Sequence, residues 1–197
     1  GTAAPAPATA EPPVAAAPGG ELVTVTTDLG KATLDSQGGS LVRLELLAHR
    51  DALNPQQNVV LLEQSPKRLY VAQTGLITNQ AGVVLPNHLT PMTVQPGERS
   101  LAPAAKELQV RFESTTAAGL KLVKTYTFRR GDYTVAVKHE VINQGGQPVS
   151  PQLYLQLARD GNPPEGESSF YFTFTGPAMY TEASKFKKID FKDIEKG

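Results

Sequence analysis

A large antiparallel β-sandwich is the fold this sequence predicts. Apolar residues recur with a period of two from Glu21 onward, Pro and Gly punctuate the runs, and no dozen residues carry a 3.6-residue apolar stripe. Helix is expected only as a minor component. With 197 residues, 40% of them hydrophobic, the chain is long enough for one domain with a sizeable core.

The elements follow in order. Residues 1–20, "GTAAPAPATAEPPVAAAPGG", are almost entirely Ala, Pro, Gly and Thr, with Glu11 the only charge. Such a composition buries too little to offset the entropy of ordering, so a disordered tether is expected, extended by proline at about 3 Å per residue. An ordinary ragged terminus is the alternative. The single folded domain is expected to run from 21 to 197.

In "ELVTVTTDLGKATLDSQGGSLVRLELL", Val23 and Val25 alternate with threonines, and Ala32 and Leu34 alternate with polar neighbours beyond Leu29-Gly30. This reads as strand, tight turn, strand. Gly38-Gly39 then permits positive φ without a Cβ penalty, ending one strand and starting the next. Short strands are predicted at "NVVLLEQ", "RLYVAQT" and "LQVRFES". Residues 81–105, "AGVVLPNHLTPMTVQPGERSLAPAA", read as loop, and no role is placed there.

The clearest element is "GLKLVKTYTFRRGDYTVAVKHEVIN". Leu120, Leu122, Tyr126 and Phe128 share the even-numbered face; Tyr133, Val135, Val137 and Val141 share the odd-numbered one. Bringing both apolar faces to one side of a hairpin requires a loop with an even number of residues. A two-residue loop at Arg130-Gly131 predicts Phe128 opposite Tyr133 and Leu122 opposite His139. Two more β segments, "QPVSPQLYLQLARD" and "SSFYFTFTG", follow. Around "TEASKFKK" one or two helical turns are expected, capped by Thr181 or Ser184.

Charge and chemistry narrow the function. Nineteen Lys plus Arg balance nineteen Asp plus Glu, so no global field recruits nucleic acid, and no nucleic-acid partner is expected. The absence of cysteine excludes thiolate metal sites, redox motifs and disulfides. No apolar run approaches the roughly 20 residues that span a bilayer, and the first residues lack a signal-peptide layout. The chain is therefore expected to be soluble.

His49, His88 and His139 show no metal-pair spacing. His139 reads as a satisfied half-buried side chain, His88 as an exposed loop residue, and His49 as part of a polar turn or a general base. Glu45, Glu63, Glu113, Asp132, Glu140 and Asp160 are scattered singly, so no acid–base pair can be nominated. Nucleophile elbow, phosphate loop and calcium loop are all missing. "RGD" at Arg130-Gly131-Asp132 reads as turn chemistry. No catalytic, cofactor-binding or metal residue is predicted, and no cofactor.

Taken in order, "VTVTTDLGKATLDSQGGSLVRLELL", "LLEQSP", "TYTFRRGDYTVAVKHEVIN" and "FTGPAMYTEASKFKKIDFKDI" resemble the large periplasmic domain of the YidC family of Gram-negative inner-membrane protein insertases. The likeness covers residues 21–197. Its most specific pieces are the "Y-T-F-R-R-G-D-Y" strand and the closing pattern of Phe174, Gly176, Ala178 and Tyr180. The resemblance implies a β-supersandwich like that of galactose mutarotases, with a short helix towards the C-terminal end. It also implies an insertase and chaperone for membrane proteins, acting alone or with the Sec translocon. This domain would be noncatalytic, on the periplasmic face of the inner membrane. Its implied partners are translocon accessory subunits such as SecDF and nascent membrane proteins.

Three functions compete at this point: a docking or spacing module, a carbohydrate- or peptide-binding sandwich, and a β-edge platform that pairs with an extended strand. Mutarotase chemistry needs a converging acid and base, and the histidines show no sign of that. The closing lysines, Lys185, Lys187, Lys188, Lys192 and Lys196, read as the solvent side of a closing segment anchored by Phe186, Ile189 and Phe191. Near an anionic leaflet they would each add roughly 1 kcal/mol.

Overall fold

In a computed structural model of the chain, residues 19–162, 174 and 176–196 are described. Residues 1–18 of the tether expected over 1–20, and most of "SSFYFTFTG", lie outside them. The strands are β1 (Leu22–Thr26), β2 (Gly30–Asp35), β3 (Ser40–Arg50), β4 (Asn58–Gln64), β5 (Leu69–Ile77) and β6 (Thr93–Val94). They continue with β7 (Glu107–Thr115), β8 (Leu120–Arg129), β9 (Val135–Asn143), β10 (Gln152–Arg159), β11 (Ala178–Thr181) and β12 (Lys185–Lys188). One short helix, α1 (Phe191–Lys196), follows.

A six-stranded sheet in the order β1-β2-β3-β4-β5-β10 faces a four-stranded sheet, β6-β7-β8-β9, and all their strand pairs are antiparallel. The mainly-β sandwich predicted from the period-two pattern is therefore present. Alternation decides what lies between the sheets. Val23, Val25, Ala32, Leu34, Leu41, Leu62 and Leu76 from the larger sheet meet Leu108, Val110, Phe112, Leu120, Leu122, Tyr126 and Phe128 from the smaller.

The turns form where the sequence places them. Thr27 Oγ1 accepts the amides of Leu29 and Gly30, closing the β1–β2 turn. Gly38 and Gly39 hold φ of 68° and 54° between β2 and β3. These are left-handed values that a side chain resists.

Four expectations are corrected. The β8–β9 register is shifted by two residues, pairing Phe128 with Val135, Lys124 with His139 and Leu122 with Val141. The parity argument survives, because even still opposes odd. The loop is longer than two residues: the Gly131 amide donates to Asp28 Oδ2, Asp132 Oδ1 accepts the Thr134 amide, and Tyr133 leaves the ladder for His49.

The "TEASKFKK" segment is a β-hairpin rather than helical turns, its corner closed by the Ser184 amide on Thr181 Oγ1. The helix comes later, starting at Phe191 with the Asp190 carbonyl accepting from Asp193 and Ile194. Residues 81–105 are more than loop. They contribute β6 and bury Leu85 and Met92 in the core, with the Met92 amide tied to the Ser36 carbonyl. Phe186 is no anchor but lies exposed, whereas Ile189 and Phe191 are half-buried.

Candidate functional site

The most unusual feature of the sandwich is a lysine in its core. On β8 the inward row is Leu120, Leu122, Lys124, Tyr126 and Phe128, and Lys124 is as buried as its apolar neighbours. Across the strands it sits between Phe112 of β7 and His139 of β9. An ammonium taken out of water costs several kcal/mol unless its donors are matched. Here Nζ donates to the carbonyls of Gly38 at 2.5 Å, Thr74 at 3.1 Å and Gly39 at 3.3 Å. Tyr126 Oη donates to the Gly39 carbonyl as well, at 2.6 Å.

Sequence supplies this acceptor set. The left-handed Gly38-Gly39 pair carries two of the three carbonyls, and a Cβ on Gly39 would press within 3.3 Å of Lys124, Met92 and Phe112. Burial lowers the Lys124 pKa to about 7 and pushes the Tyr126 phenol well above its ordinary value.

Two histidines lie on either side of this lysine. His139 Nε2 shares a 2.8 Å hydrogen bond with Thr74 Oγ1, and burial together with the Lys124 charge lowers its pKa to about 4. His88, expected to be exposed, is part-buried: its amide donates to Tyr154 Oη at 3.1 Å and its Nδ1 bonds the same hydroxyl. Burial and Lys124 hold its pKa below the ordinary value too. Convergence around Lys124 is thus real and was missed in the sequence. All three Lys124 contacts are to backbone carbonyls, and burial biases both histidines to the neutral form.

The remaining candidates each have a partner of their own. His49 Nε2 meets Tyr133 Oη at 3.0 Å on the surface. Glu45 pairs with Arg43 at 3.6 Å, Glu63 with Arg68 at 3.8 Å, Glu113 with Lys121 at 2.6 Å and Glu140 with Lys138 at 3.1 Å. Asp160 accepts the amides of Leu69 and Asn162. In the RGD loop, Arg130 donates to the Ala102 and Ala105 carbonyls, and backbone hydrogen bonding to Thr134 holds the Asp132 carboxyl below its usual pKa. The cleft between this loop and β2–β3, lined by Leu29, Leu44, Leu46, Phe128 and Tyr133, encloses about 20 Å³. That is room for one water, not for a sugar. Among the described residues no three His, Asp or Glu side chains gather as a metal site would require, and no helix is long and apolar enough to cross a membrane.

What the molecule offers instead is surface. Among the described residues β10 pairs only with β5 and β9 only with β8, leaving two sheet edges open. The family model for the YidC periplasmic domain matches residues 22–197. The chain belongs to the YidC periplasmic-domain family. Membrane protein insertase YidC of Cupriavidus necator is 51% identical over 197 residues, covering 100% of this chain and 33% of the relative. That of Janthinobacterium sp. (strain Marseille) is 49% identical over 177 residues, covering 90% and 30%. That of Bordetella parapertussis is 48% identical over 176 residues, covering 89% and 31%. The YidC periplasmic domain described here therefore spans about a third of the length of the curated relatives it matches. Its lysine-centred node ties the smaller sheet to the larger through the carbonyls of Gly38, Gly39 and Thr74.

Proposed function

We propose that the domain is a noncatalytic docking and spacing module on the periplasmic face of the bacterial inner membrane. In this reading it is part of an insertase and chaperone that inserts and folds membrane proteins, alone or with the Sec translocon. Its partners are translocon accessory subunits such as SecDF and emerging membrane proteins. The single observation that carries the reading is the family match across residues 22–197. Two features agree with it. The titratable groups of the core are turned onto backbone or onto each other, and two sheet edges are open to an extended partner among the described residues.

The test is complementation of insertase-depleted cells by the full-length protein with residues 22–197 removed, combined with site-directed crosslinking from β9 and β10. Retained insertion by the deletion variant is expected, and in the intact protein crosslinks from β9 and β10 to translocon subunits. Complete loss of insertion in the deletion would give the domain an essential role instead. Titration with monosaccharides, followed by chemical shifts, separates the carbohydrate-binding alternative: saturable shifts clustered in one cleft would favour it.

A further inference from the structure

We propose that the β11–β12 hairpin is a lipid-contact element, laying its aromatic face against the headgroups of an anionic bilayer. The inference rests on the placement of the domain at the inner-membrane surface. Pairing puts Tyr180 opposite Phe186 and Ala178 opposite Lys188, so Tyr180, Phe186 and Lys188 share one face. Tyr180 is 62% exposed and Phe186 63%, although each is large and apolar. A two-stranded hairpin in water is marginal by itself and has every reason to bury such a pair.

The charges around the pair select the partner. Lys188 Nζ stands 5.1 Å from the centroid of Phe174, and Lys185 Nζ 5.9 Å from that of Tyr180, so both cations flank the aromatic face. From Ala178 to Lys188 there are three lysines against one acid, Glu182, which is already paired with Lys185 at 3.1 Å. Beyond the hairpin, Asp190, Asp193 and Glu195 stand against Lys192 and Lys196, so the positive excess lies in the hairpin itself; Asp193 pairs with Lys196 at 3.9 Å. An amphipathic aromatic beside lysines with long apolar stems suits the headgroup layer, where rings sink to the acyl boundary and ammonium groups reach phosphate. A protein groove would satisfy the rings but would need acidic residues placed for each lysine.

The experiment uses the 197-residue chain and flotation with vesicles of phosphatidylcholine alone or with phosphatidylglycerol. Binding to the phosphatidylglycerol vesicles is expected, weakening as salt rises, and none to phosphatidylcholine. Lys188→Glu is expected to weaken binding by at least about fivefold. Phe186→Ser should weaken it severalfold while leaving the thermal melt unchanged, because the side chain is exposed. The proposal is overturned by absence of binding at low salt, by equal binding to both lipids, or by binding that neither variant alters. A protein partner would be indicated if Phe186 crosslinks in cells only to polypeptide while vesicles are ignored. These outcomes are independent of the complementation result, so the lipid contact and the docking role fail separately.

Discussion

Lys124 sets the pH response of the fold. Unfolded, the side chain holds its proton up to about 10.5; folded, only to about 7. Between those values the unfolded state binds more protons, so stability rises with pH across that window; below about 7 Lys124 is protonated in both states and its contribution to the slope vanishes, while His139 adds a slope of the same sign between about 4 and 6.5. A shift of this size corresponds to at most about 5 kcal/mol, and the three carbonyl contacts, which favour the ammonium, reduce it. Urea unfolding of the wild type between pH 6.5 and 10 should therefore show a midpoint that climbs relative to Lys124→Met, which removes the titrating group. Equal slopes in the two proteins would mean that Lys124 titrates alike folded and unfolded. The variant also leaves the Gly38 and Thr74 carbonyls without this donor, at roughly 1–3 kcal/mol each, so it should be the less stable protein at pH 10. Lys124 was legible in principle: it is the one charged residue in the phase of Leu120, Leu122, Tyr126 and Phe128. Its acceptors were not, because Gly38 and Thr74 are 86 and 50 residues away.

At the scale of elements, local rules transferred well where the chain closes on itself and poorly where a distant segment intervenes. The β1–β2 turn depends on neighbours within a few residues and the Gly38-Gly39 corner on the glycines' own left-handed φ, and both formed as read. The β8–β9 loop borrows Asp28 and His49, which no pattern within the hairpin announces, and the register slid by two as a result. The helix expected around "TEASKFKK" lost to a hairpin through a local contact instead: Thr181 Oγ1 accepts the Ser184 amide and caps a turn, not a helix. Glycine substitutions separate the local from the tertiary contribution. Gly82 holds φ of 75° with nothing within 4 Å of an added Cβ, so Gly82→Ala should cost only the left-handed penalty of about 1–2 kcal/mol. Gly38 holds 68°, and its Cβ would strike the His88 backbone carbonyl at 2.2 Å. Gly38→Ala should then cost more than about 3 kcal/mol by denaturant unfolding, since backbone must move as well as twist. Similar losses at the two sites would show that the His88 segment yields freely.

At the scale of the whole molecule the sandwich is unequal among the described residues, six strands against four, and β10 carries the imbalance. Leu153, Leu155 and Leu157 pair with Leu76, Thr74 and Ala72, residues that face the core, so the three leucines point to the inner side of their sheet. Yet they are 57%, 71% and 58% exposed. Inner-face leucines left in water forgo the 1.5–3 kcal/mol that each gains on burial, so they mark a surface that is to be covered. Two covers compete: further polypeptide of the kind that makes the curated relatives about three times as long as this chain, or a separate partner. Orientation favours the first, because an inner face continues the core and a peripheral docking patch would more naturally use the outer one. The chain has no cysteine, so Leu155→Cys supplies a single reporter. Its labelling by a maleimide should be fast in the 197-residue chain and at least about tenfold slower in the full-length insertase, the protection expected of a residue packed under a layer that opens only by local unfolding. Labelling that stays fast in the full-length protein and slows only when translocon subunits are added would assign the leucine stripe to a partner.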